Sequence, residues 1–377
     1  MTADQANVPL VDLLAGHAEV AAEVEAGFAR VLSSGAFIKG PDVAAFESEF
    51  AEFSGVAHCV GVANGTDALE LMLRADELPE GAGVVMPANT FVASAEAVVR
   101  AGGTPVFADV DDEHLLLDPA AAAGAVTDGV WGLLPVHLNG QLAPMAPLME
   151  LAASTGARLF EDAAQCQGAT QDGRGAGSWG RAAGTSFYPG KNLGAYGDAG
   201  AVLTGDADLD RIVRELGDHG SSRKYVHDRL GFNSRLDTLQ AVVLRAKLAR
   251  LAGWNEARRE AAARYDALLA DVEGVRLPRT APGNVHVWHL YAVRVARRDA
   301  VLADLNAAGI GAGVHYPVPV HLQPAFRALG HAPGDFPVAE RAAAEILTLP
   351  LYPQITEEQQ VRVVEALAKA LRNQDAA

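Results

Sequence analysis

Lys191 lies in Thr185-Ser-Phe-Tyr-Pro-Gly-Lys-Asn-Leu-Gly-Ala-Tyr-Gly-Asp-Ala-Gly200. An apolar strand runs into Pro-Gly, a single lysine follows, and a glycine-rich return leads into a second apolar strand, Ala201–Thr204, so the lysine sits at a tight, largely immobile turn. A lysine amine becomes a nucleophile when its surroundings lower its pKa. Its characteristic covalent chemistry is a Schiff base with a carbonyl, including that of pyridoxal 5'-phosphate. Two further segments supply what such chemistry needs. Leu159-Phe-Glu-Asp162-Ala-Ala-Gln165 is an apolar strand with an acidic end, and a carboxylate there could hold the pyridine nitrogen of that cofactor protonated, the state in which the ring is a strong electron sink. His58-Cys-Val-Gly-Val-Ala-Asn64-Gly65-Thr66-Asp67 reads as strand, small-residue turn and helix, whose free N–H groups form an anion site suited to a phosphate.

The order of these segments, phosphate cup, aspartate and turn lysine, resembles the fold-type I aminotransferases that use pyridoxal phosphate. The wording is similar to one branch, the DegT/DnrJ/StrS sugar aminotransferase family, through five motifs: Asn-Gly-Thr-Asp-Ala-Leu at 64–69, Pro-Ala-Asn-Thr-Phe at 87–91, Glu-Asp-Ala-Ala-Gln at 161–165, Ser-Phe-Tyr-Pro-Gly-Lys-Asn-Leu-Gly at 186–194 and Gly-Phe-Asn-Ser-Arg-Leu-Asp-Thr-Leu-Gln at 231–240. The likeness runs from about Val8 to about Leu371. It implies an α/β fold with a large pyridoxal phosphate-binding domain over 1–250, built on a mainly parallel central sheet, and a small C-terminal α/β domain over 251–377.

The resemblance also implies roles. Lys191 and Asp162 are the catalytic pair. Gln165 contacts the cofactor's phenolic oxygen, Phe91 stacks on its ring, and Gly65, Thr66 and Ser186 hold its phosphate. Asn233 reaches the phosphate of the neighbouring subunit, which makes a homodimer with shared sites. His219, Arg223, Lys224, Tyr225 and His227 form a loop over the substrate diphosphate, and Tyr316 is a further substrate contact. The implied reaction moves an amino group from an amino acid, L-glutamate by expectation, to a keto carbon of a dTDP-linked deoxysugar in natural-product or cell-surface glycan synthesis, with C4 favoured over C3. An aminocyclitol or amino-aromatic pathway enzyme, or a sensor that binds the cofactor without turnover, are the other readings. Family members that act as dehydratases carry histidine at the lysine position, and this chain carries Lys191.

The elements that would position these residues alternate. Strands are expected at 83–86, 105–108, 129–136 and 157–160, with helices at 90–101 and 145–155, which argues for a parallel sheet covered by helices. Ligands in such sheets lie beyond the carboxyl ends of the strands, where Asn64, Asn89, His137 and Asp162 fall. Upstream, residues 1–7 read as a frayed tail and helices are expected over 17–33 and 43–53. Downstream, a helical stretch from Arg235 to about Ala270, softly broken at Gly253, bridges to the second domain. There, strands are expected at 285–295 and 310–316, with helices at 299–308, 338–347 and 356–371.

Composition excludes several classes. The net charge is −17, from 47 acidic and 30 basic residues, so nucleic acid or an anionic membrane is not the main partner and any anionic ligand needs a local cationic cluster. Cys59 and Cys166 are too few for a disulfide framework and read as small core residues in a reducing compartment. With no basic start leading into an apolar run and no membrane-length apolar stretch, the expectation is a cytoplasmic protein. Gly175-Ala-Gly-Ser-Trp-Gly180 spells a dinucleotide fingerprint but precedes a strand, not a helix. Asp109-Val-Asp111-Asp112-Glu113 lacks the spacing of a calcium loop and reads as a solvated turn. His286 and His289, three apart in an expected strand, would face opposite sides and share no metal.

Overall fold

A computed structural model describes residues 7–375. All but Asn7 of the expected frayed tail lies outside the described residues. Seven stretches form one continuous sheet, in the order Thr104–Ala108, Gly83–Pro87, Val130–Leu133, Arg158–Asp162, Ala183–Ser186, Gly200–Thr204 and His58–Val62. Arg158–Asp162 joins its two halves: Arg158 and Leu159 pair with the strand at 130–133, and Glu161 and Asp162 pair with the strand at 183–186. Pairing is parallel from the first strand to the fifth, and Gly200–Thr204 runs antiparallel to both of its neighbours. Gly83–Pro87 and Gly200–Thr204 are buried along their whole length, as strands covered on both faces must be. Helices supply that cover, and their ends follow local chemistry. Asn64 caps the helix Gly65–Ala75 by accepting from the Asp67 N–H, Pro41 opens Pro41–Ser54, and Gly55 and Gly156, both left-handed, close Pro41–Ser54 and Met145–Thr155.

A second, three-stranded antiparallel sheet sits near the C-terminus, with Tyr291–Val295 between Val275–Arg276 and Ile346–Leu349. Its core gathers Val293, Leu347, Val301, Leu305, Val363 and Leu367. The helix Thr238–Leu269 serves both bodies. Ala241, Leu244, Leu248 and Leu251 belong to the core of the large sheet, whereas Ala261, Ala262, Tyr265 and Leu269 belong to the C-terminal core.

Several expected elements differ. The expected helix at 17–33 is two, Leu13–Ala18 and Ala21–Ser34, because Val20 leaves helical geometry between them. Gly253 does not interrupt its helix; its penalty of about 1 kcal/mol is small beside the packing of a helix that serves two cores. The strand expected at 285–295 is split into Asn284–Val285 and Tyr291–Val295, since Trp288 takes a left-handed φ of 46°. His286 and His289 therefore lie outside any strand, and the alternation argument does not apply to them. Residues 310–316 make only single bridges, Ile310 to Val8 and Gly313 to Thr348. Ile346 and Leu347, expected at the end of the helix 338–347, belong instead to the strand Ile346–Leu349, because the helix stops at Glu345 and this stretch completes the small sheet.

The acidic run at 109–113 is more than a solvated turn. Asp109 accepts from the N–H groups of Val338 and Ala339 at the start of the helix Pro337–Glu345. Asp112 gathers the guanidinium groups of Arg276, Arg294 and Arg341, whose hydrogen bonds hold its carboxyl well below the usual carboxylate range. The run thus ties the large sheet to the C-terminal body. Among the described residues no cluster of three metal-ligating side chains occurs, and no helix is long and apolar enough to cross a membrane.

Candidate active site

A cavity of about 700 Å3 opens where the central strands end, and Gly65, Thr66, Phe91, Asp162, Gln165, Ser186, Lys191 and Tyr316 all line it. The lysine arrives on a rigid turn. Phe187 N–H donates to Ala199 O and Ala195 N–H to Phe187 O, both at 2.8 Å, while Lys247 Nζ holds Gly194 O at 2.6 Å. A Cβ at Gly194 would overlap the Pro189 carbonyl, so only glycine lets the turn close. Burial of the Lys191 amine pulls its pKa down to about 8, against the opposing pull of Asp162.

Asp162 faces the same space. Its Oδ2 accepts from the Ser94 hydroxyl at 2.6 Å and its Oδ1 from the Ala164 N–H at 3.1 Å. Its backbone is pinned on both sides, N–H to Pro135 O and C=O to His137 N–H, each at 2.9 Å. Burial pushes its carboxyl up, while the hydrogen bonds from Ser94 and Ala164 and the charge of Lys191 pull it down.

Strand alternation sends Glu161 the other way. Its carboxylate is fully buried and accepts from the N–H groups of Gly177, Trp179 and Gly180 at 2.8 to 3.2 Å. His137 donates to it from Nε2 at 3.0 Å, the tautomer being fixed by the Ala143 N–H that donates to His137 Nδ1. The glycine loop that spells a nucleotide fingerprint is therefore a cradle for an internal carboxylate. His137 is sealed from the cavity, and Asn89 is turned toward Leu115 O, so two of the four residues expected beyond the strand ends do not reach the site. Glu161→Ala should cost about 3 to 5 kcal/mol of stability by stranding those donors. Chemical denaturation checks this, and a loss below about 1 kcal/mol would show that the carboxylate is not structural.

At the opposite wall, Gly65 and Thr66 open the helix with N–H groups that no described residue accepts. A Cβ on Gly65 would stand 2.6 Å from Ser186 Cβ, and one on Gly200 would overlap the Asn64 carbonyl, so this wall needs bare backbone. Gln165 is oriented from behind: its Oε1 accepts from the Asn139 N–H at 2.7 Å and its Nε2 donates to Tyr316 Oη at 3.2 Å. The rings of Phe91 and Tyr316 lie 5.2 Å apart, and Phe91 is 49% exposed, which rules out a plain core role.

The remaining expected contacts are elsewhere. Arg223 and His227 lie on the small hairpin Ser221–Arg223 and Val226–His227, with Lys224 and Tyr225 at its tip. Tyr225 is 84% exposed. His219 O contacts the His227 ring at 2.9 Å, and Asn233 is exposed and bridged to Asp218. None of these six lines the cavity of its own chain.

Sequence reasoning missed Ser94, His289 and His315, which do line it. Ser94 had a signal: it lies one helical turn after Thr90, to which it hydrogen bonds at 2.8 Å, just behind the Asn-Thr-Phe motif. His289 had none, because its placement depends on the interrupted strand.

Comparison with known proteins places the chain as a whole. The family model described as DegT/DnrJ/EryC1/StrS aminotransferase family matches residues 19–368. The chain is 46% identical to a Streptomyces venezuelae protein named dTDP-3-amino-3,4,6-trideoxy-alpha-D-glucose transaminase, over 97% of this chain and 96% of that one. It is 44% identical to an Acidithiobacillus ferrooxidans UDP-N-acetyl-3-dehydro-alpha-D-glucosamine 3-aminotransferase, over 97% and 98%. Among solved structures, Streptomyces venezuelae DesV in complex with a ketimine intermediate superposes with a TM-score of 0.94 at 45% identity, covering 97% of this chain and 98% of that one. A family model spanning most of the chain, and relatives this similar along nearly its full length, make the conclusion plain: the chain belongs to the DegT/DnrJ/EryC1/StrS aminotransferase family.

Proposed function

We propose that the protein is a pyridoxal 5'-phosphate-dependent aminotransferase that moves the amino group of L-glutamate to a keto carbon of a dTDP-linked deoxysugar. The observation that carries the reading is the presence of the Lys191 amine and the Asp162 carboxylate in one cavity, beside a helix start whose N–H groups have no acceptor among the described residues. That donor set fits the cofactor: an amine for its aldehyde, a carboxylate for its ring nitrogen, amide donors for its phosphate and rings for its face.

When bound, pyridoxal phosphate supplies the carbonyl that condenses with amines and the protonated ring that draws electrons from them. The chain's own residues divide the remaining work. Lys191 supplies the amine and, once free, carries the proton removed from the donor's Cα. Asp162, anchored by Ser94, keeps the ring nitrogen protonated. Gly65 and Thr66 hold the phosphate with Ser186, Phe91 covers the ring, Gln165 is directed at the phenolic oxygen, and Tyr316 meets the substrate.

The basic hairpin belongs to the same proposal. On a chain of net charge −17, Arg223 and Lys224, flanked by His219, Tyr225 and His227, form the local cationic group that a diphosphate requires, and all five stand away from their own cavity. A homodimer in which each chain lends this hairpin and Asn233 to its partner's site accounts for both facts. The division of the chain into a cofactor-binding unit (1–250) and a C-terminal unit (251–377) is supported by the change of core along the helix Thr238–Leu269. The two buried, unpaired cysteines suit a cytoplasmic setting.

The position of the new amine is read as C3, in place of the C4 first favoured from sequence, because both relatives above carry names that put the nitrogen at carbon 3. Incubation with L-glutamate and the dTDP-3-keto and dTDP-4-keto deoxysugars in parallel, followed by mass and NMR analysis, tests this. An amine at C3 is expected. Product from the 4-keto sugar alone would overturn the position, and no product from either would overturn the dTDP-sugar reading.

Mixing two inactive variants tests the shared site. Asn233→Asp sets a negative charge against the partner's phosphate, and Lys191→Ala removes the amine. After subunit exchange, a mixed dimer in which Asn233 acts across the interface contains one intact site, and activity returns. A mixture that stays inactive would place Asn233 in its own chain's site.

A further inference from the structure

The helix Thr238–Leu269 grips the lysine turn at three points. Gln240 Oε1 accepts from the Tyr196 N–H at 2.8 Å, Lys247 Nζ donates to Gly194 O at 2.6 Å, and Asn255 Oδ1 accepts from Asn192 Nδ2 at 3.0 Å. The three helix residues stand seven and eight positions apart, close to two turns each, so they fall along one face. Their partners alternate along the turn at 192, 194 and 196, beginning one residue after Lys191. Asn255 is itself fixed: its Nδ2 donates to Gln167 O at 2.9 Å, which leaves its Oδ1 to accept.

The middle contact differs in kind from the other two. Lys247 is buried, and among the described residues no carboxylate pairs with it. Burial pulls its pKa down to about 8, with no other charge contributing. A buried cation without a counter-ion is costly, and both groups that compensate it belong to the turn. One is the Gly194 carbonyl. The other is the ring of Tyr196, whose centroid lies 4.6 Å from Nζ and whose hydroxyl lies 2.5 Å from His17 Nδ1. Leu244, Leu248 and Leu251, on either side of Lys247, are core residues of the large sheet, so the grip has a fixed base.

We propose that Lys247 is a positioning residue for Lys191: between the outer holds of Gln240 and Asn255 it clamps Gly194 and Tyr196 to the helix, and so keeps the Lys191 amine aimed into the cavity. Lys247 does not line that cavity and acts through the turn alone. Its part in turnover rests on the cofactor reading above, whereas the clamp can be examined without cofactor.

Hydrogen exchange of the cofactor-stripped protein, followed by mass spectrometry on peptides covering 187–199 and 291–295, tests the clamp. Lys247→Met keeps the length and loses the amine. Exchange at 187–199 should quicken about tenfold, while 291–295 in the C-terminal sheet and the thermal midpoint stay near native. Tyr196→Leu, which loses the ring face, should quicken the same peptide about threefold, and Tyr196→Phe, which keeps the face, should not. In the loaded enzyme Lys247→Met should lower kcat about tenfold and leave KM for the keto sugar unchanged. Native exchange at 187–199 in Lys247→Met, quickening spread equally to 291–295, or a loss confined to KM overturns the proposal. If Lys247→Met does not fold, the two Tyr196 variants decide, and equal exchange in both overturns it. Uptake of pyridoxal phosphate by the native protein is scored separately by absorbance, so failure of the cofactor reading gives a different result.

Discussion

Lys191→Ala is expected to lower turnover by at least about three decades, because in the proposed mechanism one side chain provides both the covalent handle and the proton carrier. No neighbour can replace it. The nearest candidate, Lys247, is buried beneath the same turn and directs its Nζ at the Gly194 carbonyl. The fold should survive, since the Lys191 side chain makes no hydrogen bond to a described residue and the turn is closed by its backbone. Steady-state rates with L-glutamate and the keto sugar, together with a thermal melt, check both halves. A variant within tenfold of native activity would remove the lysine from the chemistry.

Asp162→Asn comes next in size. It keeps the shape, and the Ser94 hydroxyl can still donate to the amide oxygen, but the charge is gone. An ion pair at about 4 Å with an effective dielectric near 20 is worth roughly 4 kcal/mol before desolvation is counted, so the loss is bounded at about three decades of rate. Glu161 cannot compensate from the next position, because its carboxylate is held in the opposite direction by three backbone N–H groups and His137. Rates measured alongside cofactor affinity separate loss of chemistry from loss of binding. Near-native activity would mean that the pyridine nitrogen has another partner.

How much of this could be read in the amino acids depends on the range of the forces involved. The lysine turn, the capped helix at Asn64 and the acidic end of the strand at Asp162 were legible, because turn geometry, capping and strand termination are decided within a few residues. The parallel sheet was legible from the alternation of short apolar runs and amphipathic helices. What escaped depends on distant partners. The direction of Glu161 is set by a loop 16 to 19 residues further on. The interruption at 286–290 answers to Gly140 and Arg258, whose backbone and side chain hold Val287 and Trp288. Ser94 became visible as the anchor of Asp162 only when a helix and a strand 68 residues apart were brought together. The acidic run at 109–113 was misjudged for the same reason, its partners lying beyond residue 270.

The most direct test of the central claim uses the native protein. Reduction with borohydride after incubation with pyridoxal phosphate, followed by proteolysis and mass spectrometry, should fix one cofactor per chain on the peptide that contains Lys191, and prior addition of L-glutamate should abolish the label by drawing the cofactor off the lysine. A label on another lysine, or no label on a protein that otherwise binds the cofactor, would contradict the account.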